Sequence, residues 1–163
     1  AMPSFFSSMP NASMAVITAL RDVSVADFNH FAPLLPEIVE KRARHVVEEC
    51  ARTLAGLADL QRGDIHAFGQ AMNACHASLR DLFGVSIREL DVMAETAQAL
   101  PGCYGARLTG AGFGGCTVNL VARSAVADFV RDLSALYQRA AGRQADVLVC
   151  EAADGGDILP PGG

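Results

Sequence analysis

Hydrophobic positions along this chain recur first at helical and then at strand spacing. After Pro36 a helix of about 24 residues is expected, with Val39, Val46, Val47, Cys50, Leu54 and Leu57 on or near one face. Asp64 is placed to cap a second helix running to about Leu82, since its carboxylate can accept an orphan N–H of the first turn. Ser86, Ile87, Arg88 and Glu89 have the form of a capping box. The helix it opens carries Leu90, Met93, Ala97 and Leu100 at helical spacing, and Pro101 and Gly102 stop it. Then the period shortens to two. Tyr104 to Thr109 and Cys116 to Val121 read as the strands of an antiparallel hairpin. Ser124 is expected to cap a last helix with Phe129, Val130, Leu133, Leu136, Tyr137 and Ala140 as its apolar stripe, ended by Gly142. Asp146 to Cys150 alternates as a further short strand, so residues 116–150 predict a β-α-β unit. Helices followed by a small mixed sheet give an α+β domain over residues 14–153.

The ends of the chain carry no such period. Residues 1–13, rich in Ser, Pro, Met and Phe, are expected to be disordered, and residues 154–163 to form a flexible tail. Ala1 directly before Met2 reads as a cloning remnant ahead of a native start, with the expectation of a complete reading frame.

Composition narrows the function classes. Of 163 residues 51% are hydrophobic and 19% charged, which is globular rather than disordered. A net charge of −5 and a single lysine, Lys41, leave no basic stripe for nucleic acid. No apolar run approaches the ~20 residues of a membrane span. Five cysteines without a C-x-x-C pair read as reduced, small hydrophobes of a cytoplasmic protein, and no His/Cys spacing suggests a metal site.

The candidate chemistry lies between the hairpin strands. Gly110, Gly112, Gly114 and Gly115 fall within six residues, interrupted by Ala111 and Phe113. Such a loop can curl tightly and aim several backbone N–H groups at one anion. It also matches G-x-G-x-x-G, but a dinucleotide fingerprint needs a helix after it, and Cys116 to Val121 reads as a strand. A Walker loop is excluded because no lysine stands near. A tight glycine turn without a ligand is the competing reading.

Three blocks give the chain a resemblance to a known family. Leu20-Arg21-Asp22-Val23 and Lys41 to Glu49 match an L-R-D-V segment and an R-A-R-H-V-x-x-E helix. Met72 to Asp81, followed by Val85, Ser86 and Glu89 to Asp91, matches S-H-x-S-L-R-D…V-S-x-x-E-L-D. Tyr104 to Cys116 matches G-x-R-M-T-G-G-G-F-G-G-C, with Leu108 for the methionine and Ala111 for the middle glycine. The run from about Ala19 to Glu151 thereby resembles the C-terminal half of the galactokinases, within the GHMP small-molecule kinases. Mevalonate kinases also write Thr-Gly-Ala-Gly, but Phe113 and Ser78 to Asp81 favour the galactokinases. Phe83 replaces a usual tyrosine and Ile87 a common cysteine.

The resemblance implies a GHMP-kinase C-terminal domain with a ferredoxin-like mixed sheet packed against helices. It implies galactose or a related sugar as substrate, with ATP and Mg²⁺ used by the complete enzyme and no cofactor held tightly by this chain. Thr109, Gly110, Ala111, Gly112, Phe113, Gly114 and Gly115 would line the phosphate and substrate cleft, with Phe113 packed beneath the loop. The catalytic aspartate, its arginine partner and the ATP loop belong to an N-terminal domain whose motifs are not in these 163 residues, so no catalytic or metal residue is assigned. His76, Ser78, Arg80 and Asp81 cluster at a helix end and are not read as catalytic, the Arg80–Asp81 pair being a structural tie, and His30, His45 and His66 are read as solvated or satisfied in the core. The isolated chain is expected to be inactive and to form a homodimer through the surface that the N-terminal domain would cover. A C-terminal domain of a mevalonate-type kinase and a non-catalytic regulatory relic are the alternatives.

Overall fold

The computed structural model describes residues 17–153, so the expectations for 1–13 and 154–163 lie outside the described residues. Five α-helices and one hairpin follow in the order α1 (Val25–Phe31), α2 (Glu37–Gln61), α3 (Ile65–Ser78), α4 (Arg88–Ala99), β1 (Cys103–Thr109), β2 (Cys116–Val121) and α5 (Val126–Ala141). Short 3₁₀ turns at Leu20–Asp22, Ala32–Leu34 and Arg123–Ala125, and one π-helical turn at Leu79–Phe83, link them.

Local chemistry accounts for most boundaries. Ser24 Oγ accepts from Asp27 N at 3.1 Å to open α1, and Asp64 Oδ1 accepts from Ala67 N at 2.9 Å to open α3. Two expected caps differ. The N-cap of α4 is Ile87, with no side-chain cap; Ser86 stands one residue too early and donates its hydroxyl to Asp91 Oδ1 at 2.5 Å instead. Ser124 lies inside the 3₁₀ turn, so α5 begins from Ala125 without a side-chain cap.

The α+β class stands, and the described residues show no mixed sheet. Among the described residues the sheet has two antiparallel strands, in register from Thr109↔Cys116 to Cys103↔Val121 with an irregularity between Cys103 and Gly105. Residues 146–150 form no strand, and Leu148 (90% exposed) and Val149 (65%) face outward. Their alternation is a local propensity, and a strand forms only where a partner edge supplies hydrogen bonds. The β-α-β unit is therefore absent.

One free edge of the hairpin is closed by helix α3. Asn73 Oδ1 accepts from Ala106 N at 2.8 Å, and His76 Nδ1 accepts from Leu108 N at 3.2 Å. Gln98 Nε2 of α4 donates to Ala106 O at 2.8 Å. Side chains thus satisfy groups that a third strand would otherwise take. The helix comes this close because Gly69 and Gly105 meet backbone to backbone: a Cβ on Gly69 would run into Tyr104 O, and one on Gly105 into Gly69 O.

Two apolar clusters flank this contact. Ala97, Ala106, Phe129 and Leu133 are buried together, with Met93, Leu100, Cys103 and Val121 packed around them. Phe28, Ala32 and Val47 form the second, between α1 and α2. Fully burying a leucine such as Leu108 or Leu133 contributes about 1.5–3 kcal/mol. Gly69→Ala is expected to cost at least about 1–3 kcal/mol through overpacking against Tyr104, read as a lower urea midpoint at unchanged slope.

Candidate functional site: the glycine loop and its base

Residues 110–115 cross from β1 to β2 almost wholly in left-handed backbone. Gly110, Gly112, Phe113, Gly114 and Gly115 have φ of 86°, 78°, 57°, 130° and 99°. Phe113 is the sole non-glycine at positive φ among the described residues, a conformation that costs an L-residue roughly 1–2 kcal/mol. Its ring is not tucked under the loop as expected from the sequence; it is 70% exposed. What fixes the loop is the Phe113 backbone, whose N–H donates to Val85 O at 2.7 Å. Gly112 lies so close to the same residue that a Cβ would run into Val85 O. A side chain at Gly110, Gly114 or Gly115 would meet nothing within 4 Å.

The sequence-assigned residues do come together, and they divide by role. The N–H of Phe113 is used in anchoring, while those of Gly110, Ala111, Gly112, Gly114 and Gly115 find no backbone acceptor among the described residues. Thr109 ends β1 opposite Cys116 and is half-buried. None of these residues titrates, so the loop can bind an anion through backbone dipoles but cannot act as a general acid or base. An N–H bond to a charged oxygen contributes about 1.5–3 kcal/mol.

The base of the loop is polar and buried. His76 is 2% exposed. Since its Nδ1 accepts from Leu108 N, the proton of the neutral ring sits on Nε2. Nε2 faces Asp91 Oδ1 at 3.3 Å, a charge–dipole contact too poorly aligned for a hydrogen bond, and it has no other partner among the described residues. Burial pushes the His76 pKa down, with Asp91 acting in the opposite direction. The sequence gives His76 no partner, because Leu108 and Asp91 are distant along the chain.

The π-helical turn locks the family-like blocks to one another. Arg42 Nη1 of α2 donates to Leu82 O at 2.8 Å, and its guanidinium lies 5.7 Å from the Phe83 ring centre. His45 stacks on Phe83 with ring centres 4.5 Å apart and shares a 2.8 Å hydrogen bond with Ser78 Oγ. Burial, followed by the charges of Arg52 and Arg42, lowers the His45 pKa. Arg80 makes a forked pair with Asp81 at 2.7 and 3.0 Å and reaches Glu95 at 2.6 Å. It is the structural tie expected. His30 packs edge-on against Phe31 and His66 edge-on against Tyr104.

No group of three or more His, Cys, Asp or Glu that could hold a metal ion occurs among the described residues. No described helix is long and apolar enough to cross a membrane.

Comparisons with known proteins match the same part of the chain. The description "GHMP kinases C terminal" matches residues 57–138, which include α3, the π turn, α4, the hairpin and most of α5. The chain belongs to the GHMP kinases, as their C-terminal domain. Within them its similarity runs to galactokinases. It is 55% identical over 139 residues to galactokinase of Roseiflexus sp. (strain RS-1), covering 85% of this chain and 36% of that protein. Human galactokinase is 43% identical over 141 residues, covering 86% and 35%. The crystal structure of Lactococcus lactis galactokinase complexed with galactose superposes with a TM-score of 0.76 at 40% identity, over 80% of this chain and 34% of that one. The chain thus spans little more than a third of the length of these relatives.

Protonating His76 would place a donor where Leu108 N–H needs an acceptor. Histidines whose native pKa lies below the unfolded value of about 6.5 leave stability intact above that pH and reduce it as pH falls through the native values. The urea midpoint is therefore expected to be flat from pH 8 to 7 and to drop between pH 6.5 and 5. His76→Asn, which keeps an acceptor near the Nδ1 position, should flatten part of that drop.

Proposed function

We propose that this chain forms one wall of the active-site cleft of a galactokinase-type sugar kinase. The complete enzyme would transfer the γ-phosphoryl group of ATP to galactose, giving ADP and galactose 1-phosphate. The observation that carries this reading is the loop itself: six residues anchored from behind through Phe113 N, with five further N–H groups that have no backbone acceptor among the described residues. Similarity to a galactokinase structure complexed with galactose supports the choice of sugar.

The donor set fits phosphate oxygens and does not fit a resident cation. The loop holds no carboxylate, so Mg²⁺ would arrive with the nucleotide and be held from elsewhere. When bound, the metal neutralises charge on the phosphates. This chain's contribution is positional. Gly110 to Gly115 would present fixed dipoles to the transferring group or the sugar, at little reorganisation cost because the backbone is already set. Thr109, at the foot of the loop, would add a hydroxyl to the same wall. The base and the ATP loop would come from an N-terminal domain, and the chain alone would not turn over. Its setting would be the cytoplasm.

Helix α2 supports the need for a partner domain. Beyond Val47, which is buried, its stripe is open: Leu54 is 70% exposed, Leu57 54% and Val39 47%. An apolar face of this length is characteristic of an interface. In the complete enzyme it would meet other parts of the kinase, and in the isolated chain a second copy.

Titration calorimetry with Mg-ATP and with galactose 1-phosphate, and activity of a two-domain protein carrying this C-terminal domain, test the reading. Gly110→Ala meets no atom within 4 Å but strains a backbone held at φ 86°, and it is expected to lower kcat/KM at least about tenfold. Sugar-kinase activity unchanged by this variant would overturn the assignment of the loop. Light scattering of the isolated chain should give the mass of a dimer, and Leu54→Glu should return it to monomer. A monomer at high concentration would count against an α2 interface.

A further inference from the structure

We infer that Ser86, Asp91 and His76 act as one positioning brace that sets where the glycine loop stands. The inference rests on the reading of that loop as a cleft wall and adds to it the residues that aim it. Two strands of contact reach the loop from behind. On one side Leu108 N–H, two residues before Gly110, donates to His76 Nδ1 at 3.2 Å. On the other, Phe113 N–H donates to Val85 O at 2.7 Å. These two anchors are not independent. His76 Nε2–H faces Asp91 Oδ1 at 3.3 Å, and the same oxygen takes the hydroxyl of Ser86 at 2.5 Å. Ser86 is the residue after Val85. The path from Leu108 through His76, Asp91, Ser86 and Val85 to Phe113 is closed through the loop itself.

The placement of each group fits that role better than it fits helix capping or catalysis. Ser86 opens what reads as a capping box, yet its hydroxyl caps nothing; the first turn of α4 has no side-chain cap. Asp91 sits in that first turn, where the helix dipole favours a carboxylate, and its side chain, 24% exposed, faces the buried ring. His76 is too deeply buried to reach a substrate. A neutral, buried imidazole hydrogen-bonded at Nδ1 and facing the Asp91 carboxylate through Nε2 by a charge–dipole contact spaces the two ends. It joins the end of β1 to the start of α4 across helix α3. Loop glycines cannot hold a shape by themselves, so the loop takes its position from these two ends.

Each of the three acts on the loop through a neighbouring residue, so each is a positioning residue. A displacement of about an ångström in a cleft wall can cost up to 10²-fold in rate.

The test has two readouts. In the 163-residue chain, amide NMR compares wild type with Ser86→Ala, Ser86→Thr and Asp91→Asn. Gly110 to Gly115 are expected to shift and exchange faster in Ser86→Ala and Asp91→Asn, with α2 and α5 amides unchanged, and Ser86→Thr should restore the wild-type loop. Loop amides indifferent to both Ser86→Ala and Asp91→Asn would overturn the brace. His76→Leu removes both ends of the spacer; should it fail to fold, the Ser86 and Asp91 variants still decide. In a two-domain protein, Ser86→Ala should lower kcat roughly tenfold to a hundredfold with smaller change in KM, and Ser86→Thr should recover it. Equal kcat in all three would overturn the functional half of the inference. Absence of sugar-kinase activity in the wild-type two-domain protein would sink the cleft-wall reading instead, with the loop amides still deciding the brace.

Discussion

The crossing of α3 over the open edge of β1 is the contact on which the rest of this domain depends. A two-stranded hairpin leaves two rows of unpaired backbone groups, and in isolation it is marginal in water. Here Asn73 and His76, on one face of α3, accept from Ala106 and Leu108 in place of a neighbouring strand. Gln98 of α4 takes the Ala106 carbonyl. This substitution of helix side chains for a strand works only at short range. Gly69 and Gly105 provide that range, because any Cβ at either position would collide with the opposing backbone. A buried donor left without its acceptor costs about 1–3 kcal/mol, so the pairing is sensitive at every point along it.

From that crossing the polar network extends outward in both directions. Toward α2 it continues through Ser78 to His45, and the π turn exposes a carbonyl, Leu82 O, that Arg42 fills. Toward α4 it continues through His76 to Asp91 and Ser86. The family-like blocks, separated by up to several tens of residues, are the two banks of one junction. Their arginines and acids are mostly spent on one another. What remains without backbone acceptors among the described residues, at the end of the junction, is a row of backbone N–H groups on the glycine loop. That is a surface suited to receiving an anion from outside, and it carries no group able to move a proton.

The loop and helix α2 are both unfinished in a physical sense. Phe113 is held in a left-handed conformation with its ring in solvent, and α2 leaves a long apolar stripe uncovered. Strain and exposed apolar area in a folded domain are retained where a further contact uses them. Both fit a domain that makes up about a third of the length of its relatives.

The sequence by itself determined the order and type of helices α2 to α5, the hairpin, the Asp64 cap and the glycine loop between the strands. These depend on period, capping chemistry and glycine content, all of which act over a few residues. The Arg80–Asp81 pair was legible for the same reason. Tertiary structure decided the rest. Ser86 could not be told from an N-cap until Asp91 was seen to capture its hydroxyl, and Phe113 could not be placed until Val85 was seen to hold its N–H. Residues 146–150 have strand propensity, but pairing needs an edge, and propensity does not say which edges are already closed. The roles of His76, Asn73 and Gly69 were beyond sequence reading because each is defined by a partner about thirty or more residues away along the chain. Local preference selects the elements; which buried polar groups meet is set only when the elements pack.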